Sequence, residues 1–159
     1  MNDRTLTRVV VPAVLAILVG AVAVVAWQVL AGQRLPDGPV PIAWGKEACA
    51  HCHMHVSEAG FAVQAQTKTG DVLNFDDPGC FFSYLDDQRP DLHAVWFHHS
   101  REDRWLARDQ VGFVAGAATP MDFGLAAVDA TEPGAMRFEQ ARERAAAKSH
   151  AAGAMGGRS

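Results

Sequence analysis

The chain has 159 residues, 49% hydrophobic and 20% charged, a length that suits one modest domain. Formal net charge is −4. With Asp3, Arg4 and Arg8 set aside, twelve basic residues face seventeen acidic ones, which argues against the clustered positive charge of a nucleic-acid binder.

No charged residue stands between Arg8 and Arg34, and residues 9–30 are almost wholly Val, Ala, Leu and Ile. Twenty-two helical residues span about 33 Å, which matches a hydrocarbon core of about 30 Å. Residues 1–32 are therefore expected to be an N-terminal membrane anchor, a single-pass transmembrane helix in contact with the inner (cytoplasmic) membrane through residues 9–30. Arg4 and Arg8 precede the run, and Arg34 and Asp37 follow it. That bias favours a domain facing the periplasm or cell exterior. A cleaved signal peptide is the rival reading, although its apolar region usually runs only about 7–15 residues. Both readings place the domain where thiols tend to be oxidised unless a metal occupies them.

Residues 33–42, with Pro36, Gly38 and Pro41, read as a linker. The domain proper is expected over residues 43–148. Phe61, Val63 and Ala65 alternate with Gln64 and Gln66, residues 68–71 make a turn, and Val72, Leu73 and Phe75 continue extended, predicting a β-hairpin. Asp77 and Pro78 predict a capped helix start, with Cys80, Phe81, Tyr84 and Leu85 on the apolar face and Pro90 as the stop. Residues 93–98 read as a third strand. Residues 105–107 and 111–114 read as a strand pair, and 124–128 as a further extended run. Residues 133–148 give the domain's best helix, and 149–159 a Gly-rich flexible tail. The fold class is therefore α+β: an N-terminal transmembrane helix, then a small domain of ββα-type units whose second passage is compatible with a degenerate duplication.

The chemistry concentrates in residues 49–55, where Cys49, His51, Cys52, His53, Met54 and His55 fall within seven positions. Four readings compete. Cys49, Cys52 and His53 satisfy the C-x-x-C-H pattern of a c-type haem, with Met121 as a distal ligand, but that motif normally sits in a mostly helical domain. A structural zinc site lacks a second pair, and only Cys80, His98 and His99 are loose candidates. A C-x-x-C redox pair, as in a thiol-disulfide oxidoreductase, wants a βαβ context and a helix start. Copper binding by Cys49, Cys52, Met54 and a further residue accounts together for the sulfur-rich composition, the adjacent methionine and the external compartment, and it also uses Met121. Soft thiolates and thioethers select Cu(I).

Three stretches carry a resemblance to a known family. Residues 49–54 (Cys-Ala-His-Cys-His-Met) resemble the C-x-x-C-[GH]-M element of the NosL family, copper-binding accessory proteins of nitrous oxide reductase maturation. Residues 74–85 (Asn-Phe-Asp-Asp-Pro-Gly-Cys-Phe-Phe-Ser-Tyr-Leu) are similar to its F-D-D-x-G-C segment and the following helix. Residues 119–125 (Thr-Pro-Met-Asp-Phe-Gly-Leu) are similar to its late P-M-x-x-G segment. The order and spacing fit over roughly residues 43–145. The resemblance implies a periplasmic Cu(I)-binding protein with a small α+β fold of ββα-type units; with the apolar run as its tether, the expected protein is a membrane-tethered, extracytoplasmic Cu(I)-binding metallochaperone. Its partners would be the copper ion and a recipient cuproenzyme or assembly factor, with no nucleic acid. Carried over by position, Cys49, Cys52, Met54 and Met121 are the copper candidates. Cys80 matches the pattern too, while its place on an apolar helical face suits a core role equally. Gln33 stands where a lipoprotein would carry its lipidated cysteine, and Phe123 where some members place a histidine, so either His53 compensates as a nitrogen ligand or the site is all sulfur.

The remaining conspicuous residues read as structural. His98 and His99 are expected to be solvated, and Trp96, Phe97, Trp105 and Phe113 to be core. No G-x-S-x-G, P-loop or dinucleotide fingerprint is present, so no enzyme activity is expected.

Overall fold

The computed structural model describes residues 3–32 and 35–156, with side chains over 11–28 and 35–151. The chain divides into two units, Met1–Leu35 and Pro36–Ser159. The first is one helix, α1 (Asp3–Gly32), whose segment Val11–Gln28 has a mean hydropathy of 2.2. Its described side chains are exposed rather than packed into a core. By length and composition this helix can cross a membrane.

The second unit is the α+β domain. Strands β1 (Val63–Thr67) and β2 (Val72–Phe75) form the expected antiparallel hairpin, with Val63 opposite Phe75 and Gln66 opposite Val72. The strand begins after Phe61, which ends a short 3₁₀ turn instead. In the connecting turn Asp71 accepts from the Thr69 hydroxyl at 2.7 Å and the Thr67 hydroxyl at 3.1 Å, and Gly70 supplies a φ of 97°. The helix α2 (Pro78–Gln88) follows and closes with Arg89 in the left-handed conformation, just before Pro90. Strand β3 (Leu92–His98) pairs antiparallel with β1, and β4 (Trp105–Ala107) pairs with β3, giving the order β2-β1-β3-β4.

The polar face of β1 is not solvated. Gln64 and Gln66 are buried, and they bind the chain of the expected linker. The Gln64 amide accepts from the Val40 N–H and donates to the Val40 carbonyl at 3.0 Å, and Gln66 donates to the Gly38 carbonyl at 3.0 Å. The Gln64 amide, which both accepts and donates, meets its hydrogen-bonding requirement without water, whereas the buried Gln66 Oε1 has no partner among the described residues. Alternation marks the strand, while both of its faces are buried.

Strand β5 (Val111–Ala115) does not pair with β4. It pairs with β6 (Leu125–Asp129) in a separate two-stranded sheet. The last helix, α3 (Phe138–Gly156), starts five residues later than expected and continues past Lys148 to Gly156. Gly134, at a φ of 82°, turns the chain, and Met136 exchanges two backbone hydrogen bonds with Phe113 at 2.9 and 2.8 Å, so residues 133–137 form a turn and a single bridge at Met136 beside β5 instead of helix. The Gln140 side chain reaches back to the Arg137 N–H at 2.9 Å, half of a capping box that fixes the true start. Residues 157–159, the end of the expected tail, lie outside the described residues.

The core is aromatic and shared. Phe75 of β2, Phe81 and Phe82 of α2, Phe97 of β3, Phe113 of β5 and Phe138 of α3 form a network of mostly edge-to-face contacts, with centroids 5.1–6.5 Å apart. Phe97 and Phe113 are core as expected, whereas Trp96 and Trp105 are half-buried. His98 and His99 are buried rather than solvated. The His99 Nδ1 accepts from the backbone N–H of Arg101 at 3.2 Å and of Glu102 at 3.1 Å, so this imidazole organises the turn between β3 and β4.

Candidate metal centre

Cys49 and Cys52 lie on a loop closed upon itself. The Cys49 N–H donates to the Met54 carbonyl at 2.7 Å, the His53 N–H returns to the Cys49 carbonyl at 3.0 Å, and Ala48 bridges to His55. His53 makes this closure possible by taking a left-handed φ of 63°. The Ala50 N–H donates to the Asn74 carbonyl at 2.9 Å, which fixes the loop beside β2. Asn74 in turn donates to Glu47, whose carboxylate also accepts from the Ala43 N–H at 2.7 Å.

Three residues after β2, α2 begins, and Asp77 caps it as the sequence suggested, accepting from the Gly79 N–H at 2.8 Å. Cys80 sits in the first turn. The sulfurs of Cys49, Cys52 and Cys80 all lie within 4.8 Å of one another, and all three cysteines are free. Cys49 and Cys80 are fully buried, while Cys52 is half-buried at the mouth. Among the described histidine, cysteine and acidic side chains, this trio is the convergent group able to hold a metal ion.

Sequence spacing gave Cys49 and Cys52 and left Cys80 divided between ligand and core. The structure joins it to the pair. His53 is exposed and outside that convergent group, and Met54 (59% exposed) and Met121 (37% exposed) stand at the protein surface. Met54 borders the cysteine loop by sequence. Met121 is tied to α2, because its N–H donates to the second oxygen of Asp77 at 3.1 Å. The Phe123 ring lies over Gly79, where a Cβ would collide with it. Asp77 and Gly79 therefore seat the loop of residues 119–124 against the turn that presents Cys80. Gly79→Ala is expected to expel the Phe123 ring and loosen that loop at a cost of about 1–3 kcal/mol, measurable as a lowered thermal midpoint.

The three thiols differ electrostatically. The Cys80 S–H donates to the Cys49 sulfur, which with backbone N–H groups of Cys52, Asp76 and His51 outweighs burial and lowers the Cys49 thiol to about 4. Burial pushes the Cys52 thiol up, reinforced by the neighbouring Cys49 charge. Donation to Cys49 and burial both raise the Cys80 thiol. At neutral pH the centre thus holds one thiolate and two thiols. Burial also raises the neighbouring Asp76 carboxyl, which accepts from the Ser57 N–H at 2.9 Å.

This geometry weighs on the other readings of the motif. A covalent haem requires both thiols to reach a porphyrin, whereas Cys49 is sealed inside and converges on Cys80. A redox C-x-x-C pair sits at a helix start, whereas Cys49 and Cys52 sit in a turn between irregular segments.

No protein-family model matches the chain, and no curated protein matches it. Among solved structures, the chain is similar to one described as the crystal structure of the copper chaperone NosL from Shewanella denitrificans. The identity is 20%, the match covers 71% of this chain and 89% of that one, and the TM-score is 0.48.

Proposed function

We propose that this protein is a membrane-tethered, extracytoplasmic Cu(I)-binding metallochaperone that carries one copper ion as cargo. The observation that carries the reading is the convergence of three cysteine sulfurs within 4.8 Å. Thiolate sulfur is the soft donor that Cu(I) prefers, and three such donors suit a low-coordinate soft cation. The sequence resemblance to the NosL family over three ordered stretches supports copper over other thiophilic ions. In this reading Cys49, Cys52 and Cys80 hold the ion. Met54 and Met121, uncharged thioethers at the surface, together with His53, form its route out to a recipient by ligand exchange. The recipient is a cuproenzyme such as nitrous oxide reductase or its assembly factor, on the strength of the sequence resemblance. Helix α1 would supply the tether.

The test is an anaerobic titration of the full-length protein in detergent against a Cu(I) chelator. One equivalent of Cu(I) withdrawn from the chelator is the expected result, and no withdrawal, or tighter binding of Zn(II), overturns the reading. A pH dependence accompanies it. Cys52 and Cys80 are raised and so protonated at pH 7, while Cys49 is already ionised. Binding through all three sulfurs then releases about two protons, so affinity weakens as pH falls, by about tenfold per proton per pH unit. Cys49 adds its own proton only below about pH 4. Calorimetry in buffers of different ionisation enthalpy counts the protons.

A further inference from the structure

The three converging sulfurs are free thiols, and they are not equally placed. Cys49 and Cys52 share one backbone turn, closed by the His53 N–H on the Cys49 carbonyl at 3.0 Å. Cys80 arrives from a separate element, the first turn of α2. Cys52 is half-buried at the mouth, while Cys49 and Cys80 are sealed from solvent. A reagent from solution therefore meets Cys52 first, with the other two sulfurs waiting within 4.8 Å of it. This is the arrangement of an exposed thiol backed by a resolving one.

We propose that the centre is a redox gate: in the metal-free protein a small-molecule disulfide joins Cys49 to Cys52, and that bond and a bound copper ion exclude each other. The copper half of this proposal rests on the function proposed above; the disulfide half does not. The step is thiol–disulfide exchange. The Cys52 sulfur attacks one sulfur of the small disulfide, breaks its S–S bond and expels one thiolate. The Cys49 sulfur then attacks the Cys52 sulfur, forms the Cys49–Cys52 bond and expels the other half. Two electrons pass from the cysteine pair to the small disulfide, which leaves as one thiolate and one thiol, the thiol carrying the proton from Cys52. Cys49 resolves rather than Cys80 because it lies on the same turn as Cys52, and because the Cys80 S–H is held as a donor to it. The bond takes two of the three soft donors and leaves Cys80 alone in the interior, a single sulfur with no partner to complete a Cu(I) site. Copper on the three sulfurs in turn leaves no free thiol at the mouth.

The probe is oxidised glutathione, added anaerobically to the reduced full-length protein in detergent, with acid quenching, alkylation and peptide mapping by mass spectrometry. Without metal, the expected product is one Cys49–Cys52 disulfide with Cys80 alkylated. In Cys49→Ser the reaction should stop at a stable glutathione adduct on Cys52. A bond that includes Cys80, an adduct on Cys52 that the parent protein never resolves, or three alkylated thiols overturns the proposal. The oxidised protein should then lose at least about a hundredfold in Cu(I) affinity against the chelator, more than the loss of a residue that only supports a ligand, and dithiothreitol should restore it. Saturation with Cu(I) should slow the disulfide at least about tenfold, because exchange needs the metal-free form. Parental Cu(I) affinity in the oxidised protein, or no protection by copper, overturns the gate while leaving the Cu(I) reading in place. A reduced protein that forms the bond yet withdraws no Cu(I) overturns that reading and the gate with it, and the metal-free arm tells the two failures apart.

Discussion

Cys49→Ser is expected to lower Cu(I) affinity at least about a hundredfold, read as lost competition against a Cu(I) chelator. Removing a residue that merely supports a metal ligand costs about 10–100-fold, and removal of a ligand itself should exceed that. Cys49 is the thiol the fold ionises, through the Cys80 S–H and the amides of Cys52, Asp76 and His51. A serine hydroxyl can accept the same amide bonds but offers no soft donor, so the secondary structure should survive, checked by circular dichroism. Cys52→Ser should act in the same direction. Cys80→Ser is the decisive member of the series. Loss of affinity there would make Cys80 a third ligand, whereas parental affinity would return it to packing and leave a two-thiolate site.

Phe81→Ala should be the most damaging single change to stability, at about 3–5 kcal/mol. Its buried ring meets Phe75, Phe82 and Phe97, each at a centroid separation of 5.5 Å, and Phe138 at 6.2 Å. Truncation would leave a cavity bordered by two strands and both domain helices. A fall of about 10 °C or more in the thermal midpoint is expected for a domain of this size. A shift of only a degree or two would mean that the neighbouring rings collapse into the space. Because Cys80 immediately precedes Phe81, copper affinity should fall alongside stability, through a loosened first turn of α2.

Local signals in the sequence read the structure well. The 63–75 hairpin announced itself by alternation and a Gly70 turn, and α2 by Asp77, Pro78 and Pro90 at its ends. The apolar run 9–30 lies within α1. What escaped was set by distant contacts. Gln64 and Gln66 look like a wet strand face until Gly38 and Val40 are laid against them. Residues 105–107 and 111–114 are neighbours in sequence, yet each finds its partner in a different sheet. Ala135 and Met136 fit a helical pattern, but their backbone is taken by Phe113. At the metal centre, Cys49 and Cys52 were legible because one short loop carries both. Cys80 is 28 residues beyond Cys52, and only the folding of the hairpin and the start of α2 carries it back. Its match to the family pattern and its place as a loose candidate for a zinc site were the signs of it, and the apolar helical face around it pointed equally to packing.

The shared phenylalanine cluster has a consequence for how the domain opens. Rings from both sheets and both domain helices interlock, so neither sheet can detach without exposing the other's aromatic surface. Global unfolding should therefore be a single event, with amides of β1, β3 and β5 exchanging their hydrogens at one common, slow rate. The cysteine loop contributes no ring to that cluster and is held by a handful of backbone bonds. Its amides should exchange sooner, through a local opening that leaves the rest of the domain intact. Such an opening would let an ion pass from Cys52 at the mouth to Cys49 and Cys80, which the resting fold keeps buried.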